Sequence, residues 1–202
     1  MLVVGLTGGI GSGKSTVSSL LTDRGAMVVD TDAVARQVVA PGGPAYEALV
    51  DRFGPSLAAD RRALAGLVFS DTTALADLNA IVHPAVREEV ARRLAELREQ
   101  GADIVVLAVP LLVETGGAYG VDAVVVVDCP EEIAVRRLVE QRGMDEADVR
   151  RRMAAQASRD DRMEIADVVI HNDASMDDLE AQADETWEWI QALLEESDPS
   201  PS

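Results

Sequence analysis

Residues 8 to 15, Gly-Gly-Ile-Gly-Ser-Gly-Lys-Ser, carry the most explicit chemistry in the chain. They fit the spacing Gly-x-x-x-x-Gly-Lys-Ser, in which glycines let successive backbone N–H groups turn toward phosphate oxygens where a Cβ would block the approach. Gly9, Ile10, Gly11, Ser12, Gly13 and Thr16 belong to this cradle. Lys14 is placed to reach the β- and γ-phosphates of a nucleotide, and Ser15 to ligate the magnesium ion that bridges them. Lys14 is also the only lysine of the chain, the other 17 basic residues being arginine. A compact ammonium between two phosphates is a role that a planar guanidinium fills poorly.

Carboxylates form the second group. Asp30 and Asp32 close an apolar run, Ala26-Met27-Val28-Val29, at the carboxyl end of a predicted strand, where open α/β sheets place their chemistry. One of the pair can cap the helix that follows. Asp32 is the candidate to orient an acceptor hydroxyl and take its proton. Arg142, between a helical stretch and Gly143, suits a mobile segment that brings a guanidinium to phosphate on closure. Arg159 is similar, whereas Arg150, Arg151 and Arg152 read as a solvated helix face. Cys129 has no base near it in sequence, His171 ends a strand, and two separated histidines with one cysteine make no zinc site. Trp187 reads as packing against the core.

These residues need a scaffold, and the pattern supplies one. Leu2 to Leu6, Ala26 to Asp30, Ala102 to Val109, Asp122 to Asp128 and Ala166 to His171 are short apolar runs of the kind buried on both faces of a parallel sheet. Helical stretches separate them, with Tyr46–Phe53, Arg61–Phe69, Thr73–Val82 and Pro84–Glu99 lying between the second and third strands. Pro84 is expected in a first helical turn. Glu131–Gln141 and a stretch from Glu146 to about Ser158 follow the fourth strand. Ser175 with Asp178 resembles a capping box that opens a terminal helix, and residues 195–202 read as a tail. The expectation is an α/β fold, a doubly wound parallel sheet of about five strands.

Composition narrows the partners. A net charge of −18 and a pI near 4.3 argue against nucleic-acid and acidic-membrane surfaces, so an anionic substrate must find a local basic pocket. With one cysteine, no secretory leader pattern and no long uncharged apolar run, the cytoplasm is the expected compartment.

Taken together, the landmarks resemble the dephospho-CoA kinase family: Leu6 to Ser15, Val29-Asp30-Thr31-Asp32 with Ala35-Arg36, Leu78-Asn79 with His83-Pro84, Pro110 to Glu114, Gln141-Arg142, Ala155-Gln156 with Arg159, and Ala166-Asp167. The resemblance implies transfer of the γ-phosphoryl of ATP to the ribose 3′-hydroxyl of dephospho-CoA, the last step of coenzyme A synthesis, with Mg2+ as the metal. It implies one P-loop kinase domain over residues 1–202, like the nucleoside-monophosphate kinases, with a helical substrate lobe at about 31–100 and a lid at about 133–160. It also implies catalytic roles for Lys14, Asp32 and Arg142, nucleotide contacts from Arg142 and Arg159, and substrate contacts from Asp32, Arg36, His83, Leu111, Leu112 and Glu114. The chain departs from the family between Gly54 and Leu64, which is a few residues short, and at Ala108 and Val109, where many relatives carry an Asp before the proline. A nucleoside-monophosphate kinase shares the cradle but accepts a phosphate. A guanine-specific switch commonly uses Asn-Lys-x-Asp, which a chain whose sole lysine is Lys14 cannot contain.

Overall fold

The computed structural model describes residues 1–117 and 119–197. Its strands are β1 (Leu2–Thr7), β2 (Met27–Asp30), β3 (Ile104–Ala108), β4 (Ala123–Asp128) and β5 (Val168–His171). They form one sheet in the order β2-β3-β1-β4-β5. The pairings around β1 and β4 are parallel, Leu2 opposite Ile104, Thr7 opposite Val126 and Asp128 opposite His171. That register brings the carboxyl ends of β1, β4 and β5 to one edge of the sheet, with β1 in the middle. All six residues of β1 and all five of β3 are buried, as strands covered on both faces require.

Helices α1 (Lys14–Asp23), α2 (Thr31–Val38), α3 (Tyr46–Phe53), α4 (Pro55–Ala59), α5 (Arg61–Ser70) and α6 (Thr72–Glu99) precede β3. After β4 come α7 (Glu131–Arg142), α8 (Glu146–Ala154) and α9 (Arg159–Glu164), and after β5 comes α10 (Met176–Ser197). None of the helices among the described residues is long and apolar enough to cross a membrane. The chain divides into two compact units, one formed by Met1–Val29 with the chain from Leu97 onward, the other by Asp30–Glu96. In the first, Leu2, Val4, Leu6, Val17, Leu21, Val106, Val125, Val127, Ile170 and Ile190 share a core against which both Trp187 and Trp189 pack. Trp187 is therefore the packing residue the helical spacing suggested.

Four local expectations need correction. Pro84 does not begin a helix but lies inside α6, which runs unbroken for 28 residues. An interior proline forfeits one hydrogen bond and crowds the carbonyl four residues back, a cost of about 3 kcal/mol; the helix continues because its many other bonds form cooperatively. Helices α4 and α9, of five and six residues, were not expected, being too short to show a helical period. The terminal helix continues to Ser197, three residues into the expected tail, whose remaining residues, 198–202, lie outside the described residues. Strands β3 and β5 each begin two residues later than the apolar runs suggested.

The capping question is settled by geometry. Asp30, in extended conformation, is the N-cap of α2, and its Oδ1 accepts from the backbone N–H groups of Asp32 at 2.8 Å and Ala33 at 3.2 Å. Asp32 is an exposed residue in the first turn and is not the cap. The expected box at α10 is present, Ser175 and Asp178 exchanging hydrogen bonds of 2.6 to 3.1 Å. Asp30→Ala is expected to lower stability by about 1 kcal/mol, and Asp30→Asn by much less, because asparagine caps almost as well; urea denaturation midpoints of the two variants check this.

Candidate functional site

The phosphate loop leaves β1 at Thr7 and enters α1 at Lys14, a half-buried residue. Gly13 is the N-cap of α1 with φ of 92°, a left-handed conformation that favours glycine, and α1 has neither a side-chain cap nor an acidic residue in its first turn. By contrast α2, α5, α8 and α9 each begin with a side-chain oxygen bound to their first amides. The positive end of α1 is therefore left for an external anion. Gly13 answers to a second demand as well. A Cβ there would stand 1.9 Å from Nδ2 of Asn172.

Asn172 is the residue just past β5, buried at 8% exposure. Its Nδ2 donates to the carbonyl of Ser12 at 2.7 Å, its backbone N–H to the carbonyl of Asp128 at 2.8 Å, and its carbonyl accepts from Arg137 Nη1 at 2.9 Å. The end of β5 thus grips the phosphate loop from behind. Gln156 holds the outer side, its Oε1 accepting from the Ile10 N–H at 2.9 Å, while Ile10 packs against the cluster of Val135, Leu138 and Val149 from α7 and α8. Sequence reasoning assigned Asn172 no role and gave none to Gln156. For Asn172 a signal existed, since residues that follow parallel strands collect at the carboxyl edge. Gln156 stood among the family landmarks, but its partner lies 146 residues away in sequence, so its hold on Ile10 could not be read from neighbouring residues.

Arg142 is the last residue of α7, exposed, and followed by Gly143 with φ of 62° as the C-cap. Arg159 is engaged. Its Nε and Nη2 donate to the two oxygens of Asp128 at 2.8 and 2.7 Å, and Asp128 is buried, at 7% exposure. This fork holds the Asp128 carboxyl below the usual carboxylate range, against the opposing effect of burial, with His171 Nδ1 at 3.5 Å adding to the lowering. Glu114, in the turn after β3, accepts the Ala157 N–H at 2.7 Å. Leu111 is exposed, but Leu112 is buried, its Cδ2 3.1 Å from where a Cβ on Gly5 would lie. Leu112 thus packs against the central strand, while Leu111 beside it faces outward. Arg150 binds Glu131, Glu132 and Glu146 on the surface, in keeping with a solvated face. Burial raises the Cys129 thiol above its usual value, which keeps it protonated and unreactive at neutral pH.

Within the unit Asp30–Glu96, a cavity of about 450 Å³ gathers three residues named above. Asp32, Arg36 and His83 line it, and Leu49, Leu64 and Val82 give it apolar wall. Asp32 and Arg36 lie four residues apart in α2, so one helix face presents both charges. A pocket of this size with few polar groups in an apolar lining fits a small organic ligand. No cluster of three or more His, Cys, Asp or Glu side chains suited to a metal occurs among the described residues.

A glycine-rich anion cradle running from the central strand of a parallel sheet into an uncapped helix defines a P-loop kinase fold. Solved structures agree: one from Thermus thermophilus, TT1252, is 36% identical over 96% of this chain and 97% of its own, with a TM-score of 0.79. A dephospho-CoA kinase from Campylobacter jejuni reaches 0.70 at 21% identity over 97% and 98%, and a shikimate kinase from Acinetobacter baumannii shares the fold at 0.52. Among curated proteins, a dephospho-CoA kinase of Corynebacterium glutamicum is 48% identical over 90% of this chain and 95% of its own. One of Thermobifida fusca is 48% identical over 96% and 98%. The profile of the family described as Dephospho-CoA kinase matches residues 2–178, and the chain belongs to that family.

The tether between Asn172 and Ser12 makes a prediction about nucleotide affinity. Asn172→Ala leaves the Ser12 carbonyl buried without its donor, which costs about 1 to 3 kcal/mol, and is expected to weaken ADP binding roughly tenfold, since 1.4 kcal/mol is a tenfold change. Gly13→Ala is expected to abolish ADP binding. Isothermal titration of both variants against the parent reads the effect, and undiminished affinity in either would refute the tether.

Proposed function

We propose that the chain transfers the γ-phosphoryl group of ATP to the ribose 3′-hydroxyl of dephospho-CoA, giving ADP and coenzyme A. As a member of its family it is an enzyme that phosphorylates dephospho-CoA, the final step of coenzyme A biosynthesis. Donor and hydroxyl are assigned here by chemistry. The cradle takes the triphosphate: loop amides other than those of Ile10, Ser12 and Thr16, which are bonded within the protein, and the open end of α1 bind phosphate oxygens, and Lys14 neutralises the β- and γ-phosphates. The observation that carries the acceptor assignment is the cavity that unites Asp32, Arg36 and His83. In it Arg36 offers a guanidinium to the acceptor's phosphates, the apolar wall takes an uncharged portion, and His83 shapes the edge.

Phosphoryl transfer asks the protein for positioning and charge stabilisation more than for covalent help. Asp32 orients the acceptor hydroxyl and takes its proton. That assignment is freed of its rival, because the carboxylate that caps α2 belongs to Asp30. Arg142, exposed at the end of α7 before a left-handed glycine, adds positive charge to the phosphates when the region of residues 133–160 closes as a lid. A bound Mg2+ would supply positive charge that offsets the charge of the triphosphate. Ser15, an exposed hydroxyl in the first turn of α1, is the protein group that would hold it, and one hydroxyl beside phosphate oxygens fits a hard cation that retains several waters. We read residues 1–202 as one kinase domain with its substrate lobe at about 31–100.

Purified protein given ATP and dephospho-CoA is expected to produce ADP and coenzyme A, with phosphorus NMR placing the new phosphate on the 3′-oxygen. Phosphate on any other oxygen, or none, overturns the proposal. Asp32→Asn is expected to lower kcat by roughly 100-fold or more, the usual scale of base catalysis, with dephospho-CoA affinity and melting temperature nearly unchanged. Unchanged kcat in a folded Asp32→Asn enzyme would remove Asp32 from the chemistry.

A further inference from the structure

The stretch joining α8 to α9 brings to the phosphate loop a cation that the reading above does not use. Arg162, half-buried in α9, has its Nη2 3.2 Å and its Cζ 3.5 Å from the position a Cβ would occupy on Gly9. The backbone of Gly9 is not left-handed, so its φ is one that other residues adopt. Glycine at position 9 makes room for the guanidinium. Arg162 Nη1 donates to the carbonyl of Ala157 at 2.5 Å, which fixes the plane from behind. The same stretch is fastened twice more, by Gln156 on the Ile10 N–H and by Glu114 on the Ala157 N–H. The first of these fastenings matters for charge, because it commits one loop amide to a side-chain carbonyl.

The hydrogen-bond partner of Arg162, like that of Arg137, is a neutral carbonyl. Arg159, one turn earlier, is forked onto Asp128, Arg150 binds three glutamates, and Arg24 binds Asp184. Among the described residues, none of the ion pairs includes Arg162. Its acidic neighbour Asp161 is exposed and bonded to Ser158, so in a chain with 36 acidic and 18 basic residues a half-buried guanidinium against the anion-binding loop and outside the ion pairs is available to the anion.

We propose that Arg162 is a catalytic residue of the phosphoryl transfer, contacting the γ-phosphoryl group at the Gly9 side of the cradle. The proposal rests on the kinase reading above. In the step, the acceptor oxygen forms a bond to the γ-phosphorus while the bond to the β,γ-bridging oxygen breaks. That oxygen leaves with the electron pair as part of ADP, and the hydroxyl proton passes to a carboxylate. Arg162 neutralises the equatorial oxygens as this charge redistributes. It differs from Arg142 in already lying against the cradle, at Gly9.

The test compares Arg162→Gln and Arg162→Lys with the parent. The readouts are kcat, affinity for ADP, affinity for a non-hydrolysable ATP analogue, and melting temperature. Glutamine can still donate to the Ala157 carbonyl without charge, so the expected result is a fall in kcat of roughly 10- to 1,000-fold, below the strongest arginine-finger effects. ATP-analogue affinity should drop by more than ADP affinity, and melting should shift little. Lysine keeps the charge but has one ammonium for both the carbonyl and the phosphate, and is expected to fall between. If Arg162→Gln fails to fold, the Lys variant carries the same comparison. Parent-like kcat in a folded variant overturns the proposal, as does an equal loss of ADP and analogue affinity with lowered melting, which is the pattern of a brace for Ala157. The binding comparison needs no acceptor. Absence of transfer by the parent enzyme therefore strikes the acceptor assignment alone, and Arg162 is judged on γ-phosphate discrimination.

Discussion

The 1.9 Å between Asn172 Nδ2 and a hypothetical Cβ at residue 13 is the constraint on which the rest turns. A loop that is to present its main chain to phosphate must show bare backbone on one side and still be held on the other. Here the holding is done by an amide whose own position follows from strand register. Because Asp128 pairs with His171, the residue after β5 falls beside the residue after β4, and its backbone N–H bonds Asp128. Arg137 from α7 closes the arrangement. Sheet, loop and the helix after β4 are one hydrogen-bonded assembly, and the loop's shape is inherited from the sheet.

The acidity of the chain looks different once its carboxylates are placed. Asp30, Asp60 and Asp145 cap helices. Asp122 and Asp167 accept, each at 2.8 Å, from the backbone N–H groups of Val3 and Val124 near the starts of neighbouring strands. Asp128 holds Arg159. Several of the carboxylates thus satisfy backbone donors that a protein must satisfy somehow. The arginines are divided in the same way between structural pairing and contact with anions, and composition alone cannot tell the two kinds apart.

What was legible in the sequence followed from local rules. The cradle has a fixed spacing, the buried strands are short apolar runs, and the Ser175–Asp178 box spans four residues; each is read within a window of ten. Asp32, Arg36 and His83 were legible through the pattern of a family, and the cavity then gathered them. The failures had other causes. Pro84 was read as a start because a proline's local preference is for a first turn, whereas 28 residues of cooperative helix overrode it. Helices α4 and α9 are shorter than two turns and leave no periodic trace. Asn172, Gln156 and Arg162 act across more than 140 residues, and no window of sequence contains both partners.

A side chain that is unique in type is also unique to a reagent. Lys14, the first residue of α1, is the only lysine, so an acylating probe directed at amines finds one side-chain target, and that target stands in the anion cradle. Every other cationic side chain is a guanidinium or an imidazole, which such probes leave largely untouched. The mass added to the peptide bearing residue 14 would measure occupancy of the cradle directly, without an engineered label and without a background of surface lysines to subtract.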